Sequence, residues 1–137
     1  MLVDREICPL GGKEKIPVDV RIIAAAREDL QVQVAQGRFR EDLYYALSVI
    51  QIALPELRER REDVPLLVNH FLQKYSREMG MPTPRFTGEA LRTLGDFEWS
   101  GNVRQLENVV ERAVALSRGK EELALEDLPR EIGRAHV

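Results

Sequence analysis

The chain has little of the chemistry from which cross-links and metal centres are built. Its 137 residues include one cysteine and two histidines. The single Cys8 cannot form an internal disulfide, and His70 and His136 lie far apart in sequence and outside any ligand motif, so we predict no metal site. The sequence also lacks an apolar run of about 18 residues and a signal-peptide pattern. These absences predict a cytoplasmic protein without a membrane span.

An excess of charge of one sign is absent as well. Lys and Arg total 20 and Asp and Glu total 23, which gives a net charge of −3. The basic cluster at residues 58–61 is interleaved with Glu59, Glu62 and Asp63, a pattern typical of a solvated, self-neutralising surface. This balance argues against a whole-surface nucleic-acid binder, and no helix-turn-helix follows Leu128. A helical DNA-binding fragment is therefore the weakest functional hypothesis, and we expect no direct DNA binding.

The most informative segment that is present begins at residue 99. Its apolar residues have the spacing of one buried helix face: Val103, Leu106, Val109, Val110, Ala113 and Val114. We expect Asn102 to cap this helix, with Gln105 completing a capping box. Arg104 falls in the first turn, where the helix dipole disfavours a cation. Its side chain is therefore either simply solvated or placed near an anion.

The first part of the chain reads as an α/β segment. Residues 1–17 contain two prolines and two glycines and predict a turn-rich lead-in. The β-branched, apolar stretches 18–26 and 49–54 predict buried strands of a parallel sheet. Between them, 27–36 and 39–47 suit short helices.

After residue 61 the pattern is wholly helical. Asp63 is a plausible N-cap, with Pro65 in the first turn, for a helix that ends near Met79. Thr87 is expected to cap a second helix that ends near Phe97. The helix that follows Trp99 is expected to end at Gly119, and residues 126–132 to add a short turn. The boundary between the α/β part and the helical part is placed at residues 55–62.

Four segments carry a resemblance to a known family. They are residues 18–25 (VDVRIIAA), 37–45 (GRFREDLYY), 54–63 (LPELRERRED) and 99–108 (WSGNVRQLEN). In this order and spacing they resemble the AAA+ domain of sigma-54-dependent transcriptional activators, the bacterial enhancer-binding proteins. The resemblance covers nearly the whole chain.

The resemblance implies a fold in three parts. Residues 1–57 would be the C-terminal part of a P-loop AAA+ α/β core, with about two parallel strands and short helices. Residues 58–132 would be an all-α lid of three to four helices, and 133–137 a tail. The two core strands would not be neighbours in the complete sheet. The chain by itself should therefore expose open sheet edges and apolar surface.

The resemblance also implies which parts of the ATPase are not in this sequence. No Gly-x-x-x-x-Gly-Lys-Ser/Thr phosphate loop occurs, and neither does the acidic magnesium motif or the GAFTGA loop that engages sigma-54. The parent protein would bind ATP and Mg, form a ring oligomer, and couple hydrolysis to open-complex formation by sigma-54 RNA polymerase. We expect this chain alone to bind no nucleotide tightly and to be inactive.

Two arginines would be the functional residues by this resemblance. Arg40 corresponds to the arginine finger that acts in trans on a neighbouring subunit's γ-phosphate, and the alternative is a surface pair with Glu41 or Asp42. Arg104 corresponds to the sensor II arginine, which reaches the phosphates of the bound nucleotide, and the alternative is a solvated side chain. Trp99 is expected to be a packing anchor.

The sequence departs from the family at four positions. Ala26 and Arg27 replace the usual Thr-Asn pair of sensor I, Ala46 replaces a second finger arginine, and Ser100 replaces a proline. The serine can still cap, whereas the other changes remove groups that serve hydrolysis. We therefore predict a poor ATPase even in a complete domain. The same changes support an alternative, a non-hydrolysing module that joins or blocks AAA+ rings.

Overall fold

The computed structural model describes residues 5–133, and it divides the chain into two compact units, Met1–Ala53 and Leu54–Val137. No helix among the described residues is long and apolar enough to cross a membrane.

The first unit contains a small hairpin and two short helices. Strand β1 (Glu6–Ile7) pairs antiparallel with β2 (Ile16–Pro17). Helices α1 (Leu30–Ala35) and α2 (Glu41–Leu47) follow. Both helices begin later than the sequence predicts. For α1 the reason is Asp29, which caps the helix by accepting a hydrogen bond from the Gln31 N–H at 2.8 Å.

The prediction of strands at residues 18–26 and 49–54 is wrong. Neither segment contains a strand or a helix, and their apolar side chains are largely exposed, with Ile23 87% and Val49 83% accessible. A buried parallel strand needs hydrogen-bonded neighbours on both sides. No strand among the described residues pairs with either segment, and the Val18 N–H donates only to the Arg5 carbonyl, at 2.8 Å. The exposure of apolar surface expected from the resemblance is therefore observed, without the strands.

The second unit is a helical bundle. Two 3₁₀ turns, Leu57–Glu59 and Arg61–Asp63, lead into α3 (Val64–Glu78), which is followed by α4 (Gly88–Asp96) and α5 (Asn102–Leu116). A 3₁₀ turn at Leu125–Asp127 and α6 (Arg130–Gly133) complete it. These bounds lie close to those the apolar spacing predicts.

The bundle is closed by a short parallel pair that the sequence analysis missed. Strand β3 (Arg85–Phe86) lies beside β4 (Glu122–Leu123), with Phe86 opposite Leu123. Both of these apolar side chains are buried in the core. Its other buried members are Leu57, Val64, Val68, Phe71, Leu72, Tyr75, Ala90, Leu94, Trp99, Leu106, Val109, Val110, Ala113, Val114, Leu128 and Ile132. The two parallel strands of the structure therefore lie in the helical unit.

The helix ends follow ordinary capping chemistry. Thr87 caps α4, as predicted, by accepting a hydrogen bond from the Ala90 N–H at 3.2 Å. Asp63 stands at the N-cap of α3, but its side chain makes no capping bond. Beyond α5, Gly119 has a φ of +82°, a conformation that glycine adopts without strain.

Candidate functional site

The turn that precedes α5 has an unusual backbone. Trp99 and Asn102 both have left-handed conformations, with φ of 45° and 51°. Such values are uncommon for residues other than glycine and are retained only where surrounding contacts impose them. Trp99 supplies some of those contacts. It is 1% exposed, its indole Nε1 donates to the Leu94 carbonyl at 2.7 Å, and its ring meets that of Phe97 edge to face. The prediction that Trp99 is a packing anchor is confirmed.

The predicted cap of α5 is wrong in its details. The N-cap is Gly101, and Asn102 is the first residue of the helix. Instead of capping, the Asn102 Oδ1 accepts a hydrogen bond from the Leu57 N–H at 2.8 Å, which fixes the start of α5 to the first 3₁₀ turn of the unit. Gln105 does not complete the predicted box with Asn102; its Oε1 accepts instead from the N–H of the N-cap residue Gly101, at 2.9 Å.

Arg104 therefore projects from a helix start that is held at several points. The side chain is exposed, and no hydrogen bond or ion pair of the described residues includes it. In the first turn of α5 the helix dipole adds no favourable interaction with a cation. The arrangement is an exposed guanidinium, outside any hydrogen bond or ion pair of residues 5–133, and such a group can bind an oxyanion.

One turn along α5 lies an acidic group that the sequence analysis did not single out. The Glu107 Oε1 accepts hydrogen bonds from the Lys74 Nζ at 2.8 Å and from the Tyr75 hydroxyl at 2.9 Å. The bond from Lys74 is the main reason why the pKa of Glu107 lies below its ordinary value; the bond from Tyr75 and the charge of Arg104 lower it further. The partners lie more than 30 positions away on α3, so helix periodicity alone could not reveal this cluster.

Arg40 lies in the first unit, at the N-cap of α2. It is exposed and forms a two-pronged pair with Asp42, with Nε to Oδ1 at 3.0 Å and Nη2 to Oδ2 at 2.5 Å. This hydrogen bond keeps the pKa of the Asp42 carboxyl below its usual value. An exposed pair of this kind contributes little to stability and can be exchanged for another anion.

The four departures from the family pattern are divided between the units. Ala26 and Arg27 are exposed in the irregular segment before α1, and Ala46 is half-buried on α2. Ser100 is exposed in the turn before α5. Arg40 thus shares the first unit with three of these residues, while Arg104 shares the second with Ser100.

Comparison with known families assigns both parts of the chain. Residues 1–53 match the sigma-54 interaction domain and residues 58–137 match the AAA+ ATPase lid domain. Among solved structures, NtrX from Brucella abortus in complex with ATP is 38% identical over 98% of this chain, with a TM-score of 0.89. Its complex with ADP gives a TM-score of 0.88 over 96% of this chain. In each case 31% of the NtrX chain is covered.

Curated relatives give the same assignment. The transcriptional regulatory protein ZraR of Escherichia coli K12 is 47% identical over 98% of this chain, and the regulatory protein AtoC of the same strain is 48% identical over 96%. The chain covers 30% of ZraR and 28% of AtoC, so it spans less than a third of these relatives. The fold, the two domain matches and these relatives together show that the chain belongs to the sigma-54-dependent transcriptional activators and carries a part of their AAA+ domain, including the lid.

Proposed function

We propose that this chain supplies the arginine-bearing part of an AAA+ ATPase that acts on sigma-54 RNA polymerase. In the complete cytoplasmic protein, ATP hydrolysis within a ring of subunits is coupled to open-complex formation. Residues 58–132 act as the lid, Arg104 contacts the phosphates of the bound nucleotide, and Arg40 reaches the γ-phosphate held by a neighbouring subunit. The chain itself makes no direct contact with DNA.

The observation that carries this proposal is the exposed and unpaired side chain of Arg104. It is an exposed guanidinium without a hydrogen-bonded or ion-paired partner among residues 5–133, on a helix whose first residue is tied to Leu57 by the Asn102 side chain. A planar guanidinium matches the oxygens of a phosphate and binds them through two parallel N–H bonds. The similarity to NtrX structures that contain ATP or ADP supports nucleotide as the anion.

A ligand set for the magnesium ion of the nucleotide is not found among the described residues. No cluster of three or more Asp, Glu, His or Cys side chains among the described residues is placed to hold a metal ion. We therefore assign phosphate contacts to this chain and no magnesium ligand. We expect this chain alone not to bind ATP and Mg tightly.

We further propose that these residues hydrolyse ATP poorly. Ala26, Arg27 and Ala46 stand where the family has a polar pair and an arginine, and alanine offers no hydrogen-bond donor to a phosphate or to the attacking water. Arg40 remains, and an arginine finger contributes about 10³–10⁵ to the rate of related phosphoryl transfers.

The test is to replace the matching segment of AtoC with this chain and to measure ATP turnover. We expect little turnover from the graft and a clear rise with Ala26→Thr, Arg27→Asn and Ala46→Arg together. In that restored graft, Arg40→Ala and Arg104→Ala should each abolish most of the activity. Asp42→Asn serves as the control for Arg40, because it removes the surface pair and keeps the guanidinium. Normal turnover by the unmodified graft would refute the claim of poor hydrolysis.

A second candidate function is a non-hydrolysing module that joins or blocks rings of active relatives. The exposed apolar segments 18–26 and 49–54 favour it. The two functions differ in a mixing experiment. Adding the chain to active AtoC should leave turnover unchanged if it only supplies part of a domain. Turnover should fall as the chain is added if it enters or blocks the ring.

A further inference from the structure

Arg104 and Glu107 should attract each other. They lie three positions apart on α5, a spacing that places side chains side by side on a helix surface. The charge of Arg104 also helps to lower the pKa of Glu107. Nevertheless, the structure records no ion pair between them, although it records eight others within residues 5–133.

The reason lies in the two donors from α3. The Lys74 Nζ and the Tyr75 hydroxyl both bond to the same oxygen of Glu107, Oε1, at 2.8 and 2.9 Å. Tyr75 is 8% exposed and therefore fixed by the core, and the Lys74 Nζ also lies 4.8 Å from the centre of its ring. The two donors on α3 thus balance the negative charge of the carboxylate and fix its orientation.

We propose that Lys74 and Tyr75 are positioning residues that hold Glu107 away from Arg104 and so keep the Arg104 guanidinium available for phosphate oxygens. The identity of the anion rests on the function proposed above, whereas the competition for Glu107 does not. Lys74, Glu107 and Arg104 together carry one net positive charge. Removal of the Lys74 charge leaves Glu107 and Arg104 as an exposed pair of opposite charges, which then competes with any external anion.

The competition can be followed in the 137-residue chain. Proton exchange with water at the Arg104 Nε–H, measured by NMR, slows when the guanidinium is held in an ion pair. We expect Lys74→Met to slow this exchange and Lys74→Met/Glu107→Gln to return it to the original rate. Tyr75→Phe removes the second donor and should act in the same direction as Lys74→Met. Fluorescence of the buried Trp99 checks that each variant is folded.

A second measurement uses inorganic tripolyphosphate as the probe, followed through the same Arg104 resonance. Lys74→Met should weaken its binding about two- to fivefold, the range expected from one exposed ion pair. The additional change Glu107→Gln should restore it. A residue that only supported the fold would not be rescued by a second substitution that removes a charge.

The outcomes separate the two proposals. The positioning role would be overturned if the rate of Arg104 Nε–H exchange is unchanged in both folded variants, Lys74→Met and Tyr75→Phe. Slowed exchange that the Glu107→Gln change does not reverse would overturn it equally. If exchange behaves as expected but tripolyphosphate in large excess leaves the Arg104 resonance unmoved in the original chain, the positioning role stands and the phosphate contact proposed for Arg104 is wrong.

Discussion

The side-chain oxygen of Asn102 accepts a hydrogen bond from the backbone N–H of Leu57, 45 positions earlier, at 2.8 Å. Leu57 is fully buried and begins the first 3₁₀ turn of the helical unit. The contact therefore joins the first 3₁₀ turn of that unit to the helix that carries Arg104. Asn102 makes this contact from a left-handed backbone, with φ of 51°.

This contact predicts different effects for two substitutions at one position. Asn102→Gly keeps the left-handed backbone accessible but removes the acceptor, so the free energy of unfolding should fall by about 1–3 kcal/mol. Asn102→Asp retains both the acceptor and the tolerance for this backbone and should cost less. Urea unfolding followed by Trp99 fluorescence measures both. Equal loss in the two variants would show that the hydrogen bond is not the source of the effect.

Gly101 is required for a steric reason. A Cβ atom there would lie 2.8 Å from the Gln105 Cβ, which is too close for an unstrained contact. Because φ of Gly101 is −89°, the backbone itself would accept alanine. We expect Gly101→Ala to lower the free energy of unfolding by about 1–3 kcal/mol.

The matched control is Gly95→Ala, in the last turn of α4. A Cβ atom there would meet nothing within 4 Å. Since alanine is a better helix former, this variant should lose no stability and gain at most about 1 kcal/mol. Thermal melting of the two variants tests the pair, and a similar loss in both would argue against the steric account.

Acid should destabilise the helical unit through Asp127. Its carboxylate pairs with Lys120 at 2.8 Å and accepts the Ala124 N–H at 2.9 Å, and these bonds, that of Lys120 first, lower its pKa in the folded state. A group whose pKa is lowered by folding stabilises the protein above its unfolded pKa, and the effect is lost as pH falls through the folded value.

The stability should therefore decline from about pH 5 downward. Asp127→Asn should be less stable than the original chain at pH 7 and should lose less on acidification. Urea unfolding at several pH values gives both quantities. Parallel pH profiles for the two proteins would assign the acid sensitivity to other carboxylates, of which Glu107 is the next candidate.

The two units should differ in hydrogen exchange. The buried apolar cluster draws all its members from residues 57–132, whereas Tyr44 is the one buried residue among 5–53. Amides of α3 and α5 should exchange most slowly, and those of 18–26 and 49–54 almost at the rate of an unfolded chain. Equal protection in both units would contradict this difference in packing.

The helices of the second unit were predictable because their determinants are local. Thr87 caps α4, Pro65 lies in the first turn of α3, and apolar residues three and four positions apart mark each buried face. The resemblance located Arg40 and Arg104 for the same reason, since each lies within a short contiguous motif.

What the sequence did not reveal depends on distant partners. The apolar segments 18–26 and 49–54 have the composition of strands, but a strand exists only with a neighbour, and the described chain contains none for them. The bond from Leu57 to Asn102 and the cluster of Lys74 with Glu107 join positions 45 and 33 residues apart. No periodicity within one helix contains that information.

The short α6 helix sets a practical limit on where this part of the protein can be cut. Leu128 and Ile132 are buried, and β4 brings Leu123 into the same core. A recombinant lid that stopped at the end of α5 would remove all three side chains and leave β3 unpaired. Any genetic fusion or excision that is meant to preserve the arginine helix should therefore retain the chain through Gly133.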